Sequence, residues 1–257
     1  MEYLIICFVS FLGSGLTLFS GFGLGTLLTP VFALFFPIEL AISMTAVVHF
    51  LNNVFKFALL GKHANKNVIL RFGIPSLLAA FLGAYCLSAL SGLPSFLQYE
   101  MAGKQFSITP VKLIIAVLLI CFSLAEAFPA LLKFEFKKEQ FITGGLLSGF
   151  FGGLSGNQGA LRSAFLIKAG LSKEQFLATG IVIACLVDIA RLSIYSEKYI
   201  FIDSQINYKL LTASVVCAFA GAFLGNKFLK KVTVVTIQRL VTIFLLIFAL
   251  LLGAGIL

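Results

Sequence analysis

Between Gly152 and Lys168 the chain reads G-G-L-S-G-N-Q-G-A-L-R-S-A-F-L-I-K. Long apolar runs flank it, so the groups able to do chemistry are concentrated here. Ser155, Asn157 and Gln158 offer hydroxyl and amide groups, Gly156 and Gly159 leave backbone N–H groups bare, and Arg162 adds a guanidinium. Irregular, polar backbone at membrane depth is costly unless it is buried in protein or lines a watery cavity. A helix beginning near Gly159 would aim its free amides and positive dipole end into the break, with Arg162 on its first turn. That combination suits a small oxyanion. The plainer alternative is an arginine clamping loop carbonyls, but an arginine deep in a span costs at least about 2.5–3.5 kcal/mol, which favours a functional reason for it. A weaker copy of the break, Ser20-Gly-Phe-Gly-Leu-Gly-Thr26, lies early in the chain and makes Gly23, Gly25 and Thr26 candidates for the same site.

Other polar residues sit inside apolar runs. Asp188 and Arg191 are three apart, share a helix face and can pair, either as a structural ion pair or as a gate or coupling site. Asn52 and Asn53 fall in the matching run of the first half and could donate amide hydrogens to the same cavity, or bond between helices. Thr45 and Thr179 could bond to their own helix or to substrate. His49, alone in an apolar run, reads as a packed, hydrogen-bonded imidazole. Lys56 reads as snorkelling to the nearby helix end, and Glu126 as an interfacial partner of Lys133.

The elements that must carry these groups are helices. Of 257 residues 60% are hydrophobic and only 11% charged, and apolar runs of about 20 residues recur along the whole length, as in a multi-span membrane protein. The first half, 1–132, divides into spans at about 3–20, 40–60, 72–90 and 111–132, with a half-helix at 26–36 and a neutral loop at 91–110. The second half, 133–257, repeats the plan with 141–152, a half-helix at 160–169, then 174–195, 210–229 and 237–256. Each half-helix reaches only about 17 Å at most, roughly half a hydrocarbon core. A shift of 134 residues matches Ser14-Gly15 to Ser148-Gly149, Gly25 to Gly159, Leu27 to Leu161 and Thr45 to Thr179. These matches and the shared order predict an internal duplication. The expected fold is therefore an all-α membrane protein, a polytopic helical bundle of two inverted repeats, each a broken or re-entrant helix pair plus three spans.

Charge gives the orientation. With inverted halves, one face collects Lys62, Lys66, Arg71, Lys133, Lys137, Lys138, Lys168, Lys173, Lys227, Lys230, Lys231 and Arg239. The other carries Lys104, Lys198 and Lys209, with Lys112 just inside a span. Positive charge marks the cytoplasmic side, which puts both termini outside a cytoplasmic membrane. The net charge of +9 thus reads as orientation and contact with anionic lipid, with no nucleic-acid partner. Cys7, Cys86, Cys121, Cys185 and Cys217 are scattered singly and read as packing residues, neither disulfides nor metal ligands. With no basic region before it, the first run is expected to be a retained span and not a cleaved signal.

Paired broken helices in inverted repeats are the architecture of secondary transporters. The expected partners are a small anionic substrate, membrane lipid and a proton or sodium ion for coupling, with no cofactor and no metal; nothing in the chain signals an oligomeric state. A passive anion channel is the alternative within transport. An intramembrane serine hydrolase using Ser155 is the alternative beyond it, since Gly153-Leu-Ser-Gly156 matches the G-x-S-G of rhomboid-type proteases. Both histidines, His49 and His63, precede Ser155, however, and Asn157 breaks the hydrolase elbow G-x-S-x-G. No catalytic residue is expected.

The two breaks, Gly21-Phe-Gly-Leu-Gly-Thr-Leu-Leu-Thr-Pro30 and Gly152-Gly-Leu-Ser-Gly-Asn-Gln-Gly-Ala-Leu-Arg162, are each followed by a short apolar helix and a span bearing Thr45 or Thr179. In this, and in the small-residue regions around Gly83 and Gly225, nearly the whole chain resembles the TauE/SafE sulfite exporters, also called the toluene sulfonate uptake permease family. The resemblance implies movement of small sulfur-containing anions such as sulfite, sulfoacetate or organosulfonates across the bacterial cytoplasmic membrane. The chain departs from the family pattern where its triple-glycine breaks are diluted and where Ala164 stands opposite Pro30.

Overall fold

Apolar runs closed off by glycine and proline become helices, and the two breaks fall where the glycines are. The computed structural model describes residues 1–20, 23–127, 140–197, 207–228 and 234–257; side chains 18–20, 126–127, 226–228 and 234–238 lie outside that description. The elements are α1 (Glu2–Ser20), α2 (Leu24–Ala33), α3 (Ile38–Leu60), α4 (Lys66–Leu90), β1 (Leu97–Met101), β2 (Lys104–Ile108), α5 (Pro110–Ala127), α6 (Phe141–Ser155), α7 (Gly159–Ile167), α8 (Lys173–Tyr195), α9 (Tyr208–Phe228) and α10 (Val234–Gly253). Among the described residues, four helices are long and apolar enough to cross a membrane: Ile38–His63, Lys66–Leu90, Lys173–Tyr195 and Tyr208–Gly225. This is an all-α, multi-pass membrane protein.

Local chemistry explains the boundaries. α6 stops because Gly156 takes a left-handed conformation (φ 77°), its N–H closing on Gly152 O at 2.9 Å. α8 starts on a reciprocal cap, the Ser172 hydroxyl accepting from Gln175 N and the Gln175 side chain accepting from Ser172 N. Asn65 caps α4 through Val68 N–H at 3.1 Å, and α4 loosens into a π-helical stretch at Ile69–Gly73. α2 and α7 have 10 and 9 residues, or about 15 Å each, half a bilayer core.

One expectation changes. The neutral loop at 91–110 contains an antiparallel hairpin in which Leu97 pairs with Ile108 and Met101 with Lys104. Its turn places Ala102 and Gly103 at φ 54° and 73°, the two-residue primed geometry that matches strand twist. Alanine in that position is what hid the hairpin from the sequence. Tyr99 stacks on Phe106 and donates its hydroxyl to Ala254 O at 2.6 Å, fastening the hairpin to the end of α10.

The helices pair across the halves. α4 lies against α6 and α1 against α9, while α3 meets α8 and α5 meets α10. The first two pairs are backbone-to-backbone. On α6, Gly145, Gly149 and Gly153 recur every four residues on one face, opposite Phe72, Ser76 and Ala80 of α4, and Gly83 faces Phe150 in return. On α9, Gly221 and Gly225 abut Phe11 and Gly15 of α1. Small residues at such spacing let helices approach where lipid supplies no hydrophobic drive between them. A Cβ on Gly153 would lie 2.8 Å from Ala80 Cα, with the Ala80 carbonyl closer still. Gly153→Leu should therefore cost more than the roughly 1–3 kcal/mol of ordinary overpacking and lower the yield of monodisperse protein in detergent. Gly92→Ala, with 3.7 Å to its nearest neighbour, should leave the melting temperature within a degree or two.

Candidate functional site

The breaks touch. A Cβ built on Gly25 would lie 3.3 Å from Gly156 O and 3.6 Å from Thr45 Cγ2, so the first break packs closely on the backbone of the second. Behind them α3 and α8 bring together a buried polar cluster. Asp188, fully buried, accepts from Arg191 Nε at 2.9 Å on Oδ1, with Arg191 Nη2 2.7 Å from the same oxygen, and its Oδ2 lies 2.6 Å from His49 Nδ1. The Asn53 amide nitrogen stands 3.1 and 3.3 Å from the two ring nitrogens of His49 and 3.5 Å from Asp188 Oδ2. Arg191 in turn lies over Gly156, where a Cβ would fall 2.6 Å from its Nη1. One carboxylate thus holds a histidine and an arginine, the charge pairing that burial demands, while Arg191 Nη1 is buried without a hydrogen-bond partner among the described residues.

On one side of this cluster is a cavity of about 60 Å³ lined by Thr17, Gly23, His49, Asn53, Lys56, Arg162 and Gly180, closed by Leu24, Leu166 and Phe176. A single water needs roughly 10–15 Å³ of such space, so the cavity has the room of a small polyatomic ion. Arg162 is half-buried and its guanidinium makes no hydrogen bond to the described residues; Nη1 is buried and unpaired. Gly180 leaves room for it, a Cβ there being 3.6 Å from Arg162 Nε. Lys56 does not snorkel: it is 5% exposed, and its ammonium donates to Ser14 O at 3.3 Å and Thr17 Oγ1 at 3.4 Å, both neutral. Two basic groups therefore face the cavity with no carboxylate of their own among the described residues. The start of α2 also lines it, with Gly23 as an N-cap that has no side-chain cap.

The sequence placed Arg162 and the start of its own helix at one point, and the structure separates them. Arg162 turns to the N-terminus of α2, whereas Gly159 and Asn157, with Thr26 from α2 and Ser123 from α5, line a second space of about 10 Å³, room for one water. There both polar atoms of the Asn157 amide and the Ser123 hydroxyl are buried without partners. Gln158 is 3% exposed with Oε1 unpaired, its Cβ packed where Gly152 leaves space. Ser155 turns back on its own helix, donating to Phe151 O at 2.9 Å and accepting from Asn157 N at 3.3 Å. Asn52 accepts from Ser14 Oγ at 2.9 Å, and the Thr45 hydroxyl is buried without a partner. Thr179 bonds neither its own helix nor the cavity but accepts from Asn65 N at 2.8 Å, anchoring the start of α4.

Sequence reasoning read His49 as a packed, hydrogen-bonded imidazole and Lys56 as a snorkelling side chain, and placed neither at the cavity that both line. Their partners are 139 residues away for His49 and 42 and 39 away for Lys56, and the readable signal was only two polar side chains, each about one turn from Asn53 on α3. The Glu126 side chain, the Lys227 side chain and Gly21, Lys133, Lys137, Lys138, Lys198, Lys230 and Lys231 lie outside the described residues. The five cysteines are free thiols.

No curated protein matches the chain. The family model described as sulfite exporter TauE/SafE matches residues 6–252, and across that length, which takes in both breaks and the buried cluster between α3 and α8, the chain belongs to the TauE/SafE sulfite exporter family.

Proposed function

We propose that the chain is a secondary transporter of a small oxyanion, sulfite or a related sulfur-containing or organosulfonate anion, bound in the cavity between α2, α3, α7 and α8. One observation carries this: Lys56 and Arg162 face a buried space with only neutral oxygens, or nothing, to pair with. Buried charge is stable only when matched, and an anion supplies the match that the protein withholds. The bare amides at the start of α2 favour the same sign. Family membership supports the substrate class, since its members are sulfite exporters.

The reading includes two inverted repeats, 1–132 and 133–257, in the cytoplasmic membrane with both termini outside and a proton or sodium ion coupled to transport. The reciprocal pairing of α1 with α9 and of α6 with α4 supports the duplication. Tyr3 donates to Asn207 Oδ1 at 3.0 Å just before α9, and Ala254 just after α10 is held by the hairpin, contacts that support termini on one face. The smaller space at Asn157 and Gly159 reads as a hydrated station beside the anion site.

Uptake of radiolabelled sulfite into proteoliposomes tests the proposal. It is expected to saturate, to be blocked by excess unlabelled sulfite or an alkanesulfonate, and to respond to a proton or sodium gradient. Flux indifferent to every gradient would make the protein a channel, and absence of flux would remove the transport reading. In detergent, sulfite at one hundred times its dissociation constant should stabilise the folded protein by about 2.7 kcal/mol.

A further inference from the structure

We infer that His49 is the proton site of this transporter, binding one proton on Nε2 together with each anion and carrying it in the same direction. This rests on the anion-transport reading above. The imidazole is buried, yet it lines the anion cavity. Its Nδ1 is committed, 2.6 Å from Asp188 Oδ2, and a carboxylate there fixes the tautomer with the hydrogen on Nδ1. The lone pair is then on Nε2, which lies on the Gly23 side, 3.7 Å from where a Cβ on that residue would stand, and 3.3 Å from the Asn53 amide nitrogen, which must turn away when the proton arrives.

The neighbouring charges make proton and anion binding interdependent. Asp188 and Arg191 on α8 and Arg162 on α7 act on the ring, and Lys56 lines the same cavity two turns along α3; α1 and α2 contribute only Thr17 and the Gly23–Leu24 segment. Three basic side chains face one carboxylate, so a proton on Nε2 adds a fourth positive charge to an already positive site. An oxyanion among Arg162, Lys56 and Nε2 removes that repulsion and can accept the N–H of the imidazolium, so each ligand favours the other. The empty site sheds both. Asp188 is a positioning residue here, and its hydrogen bond from Arg191 holds the carboxylate in place as the histidine gains and loses charge.

Protons moved per sulfite can be counted in proteoliposomes with an internal pH dye alongside radiolabelled sulfite; the ratio corrects for any fall in rate. Wild type is expected to move one more proton per sulfite than His49→Gln, and equal ratios would overturn the inference while leaving transport standing. Should His49→Gln fail to fold, wild type suffices. In weakly buffered detergent, at a pH where free sulfite is wholly the dianion, sulfite binding should take up one proton per protein, and binding with no uptake overturns the inference. If wild type neither binds nor moves sulfite, the transport reading falls and the proton site falls with it.

Discussion

Arg162→Ala is expected to weaken sulfite binding by roughly 10- to 100-fold, since a hydrogen bond to a charged group contributes about 1.5–3 kcal/mol, and to bring flux at low sulfite to background. The fold should survive. The Arg162 guanidinium forms no hydrogen bond with the described residues and fronts a cavity, so its loss leaves no protein group unpaired. Arg162→Lys should recover only part of the activity, because an ammonium keeps the charge but lacks the planar fork that grips two oxygens. Equilibrium binding and initial uptake rates measure both. Undiminished flux in the alanine variant would remove the anion assignment at this cavity.

Asp188→Ala should cost about 3–5 kcal/mol of stability, the largest single effect among the polar residues. The carboxylate accepts from Arg191 and His49 at once, and its removal leaves a guanidinium that is 1% exposed with no counter-charge. Replacing both members, Asp188→Leu with Arg191→Met, should recover much of that loss, since an apolar pair leaves no orphaned charge. Unfolding of the purified protein in detergent, followed by tryptophan-free probes such as circular dichroism, gives the comparison. If the double variant is no more stable than Asp188→Ala, the pair is not what holds α8 in place.

The breaks, the half-helices and the pairing of Asp188 with Arg191 are legible in the sequence because each is local: glycines interrupt apolar runs, and residues three apart share a helix face. The family is legible for the same reason, through two glycine-rich stretches in register. The site's composition is less so. Arg162 is identifiable as an intramembrane cation, but which helix end it faces depends on how α7 crosses α2, and no local pattern encodes that crossing. Lys56 lies near the end of α3, so a sequence reading sends it to the interface; Ser14 and Thr17 of α1 instead hold it inside. His49 has an ordinary apolar context until α8 brings Asp188 to it. The hairpin at 97–108 is hidden by an alanine in a turn position that usually takes glycine or asparagine.

The glycine ladder of α6 against α4, and its counterpart where α9 meets α1, has a mechanical side. Interlocked leucines resist axial slip because every step must unseat a rotamer, whereas smooth peptide faces present no teeth. α6 thus meets α4, and α9 meets α1, along backbone rather than along interlocked side chains, so sliding of either pair would unseat few rotamers.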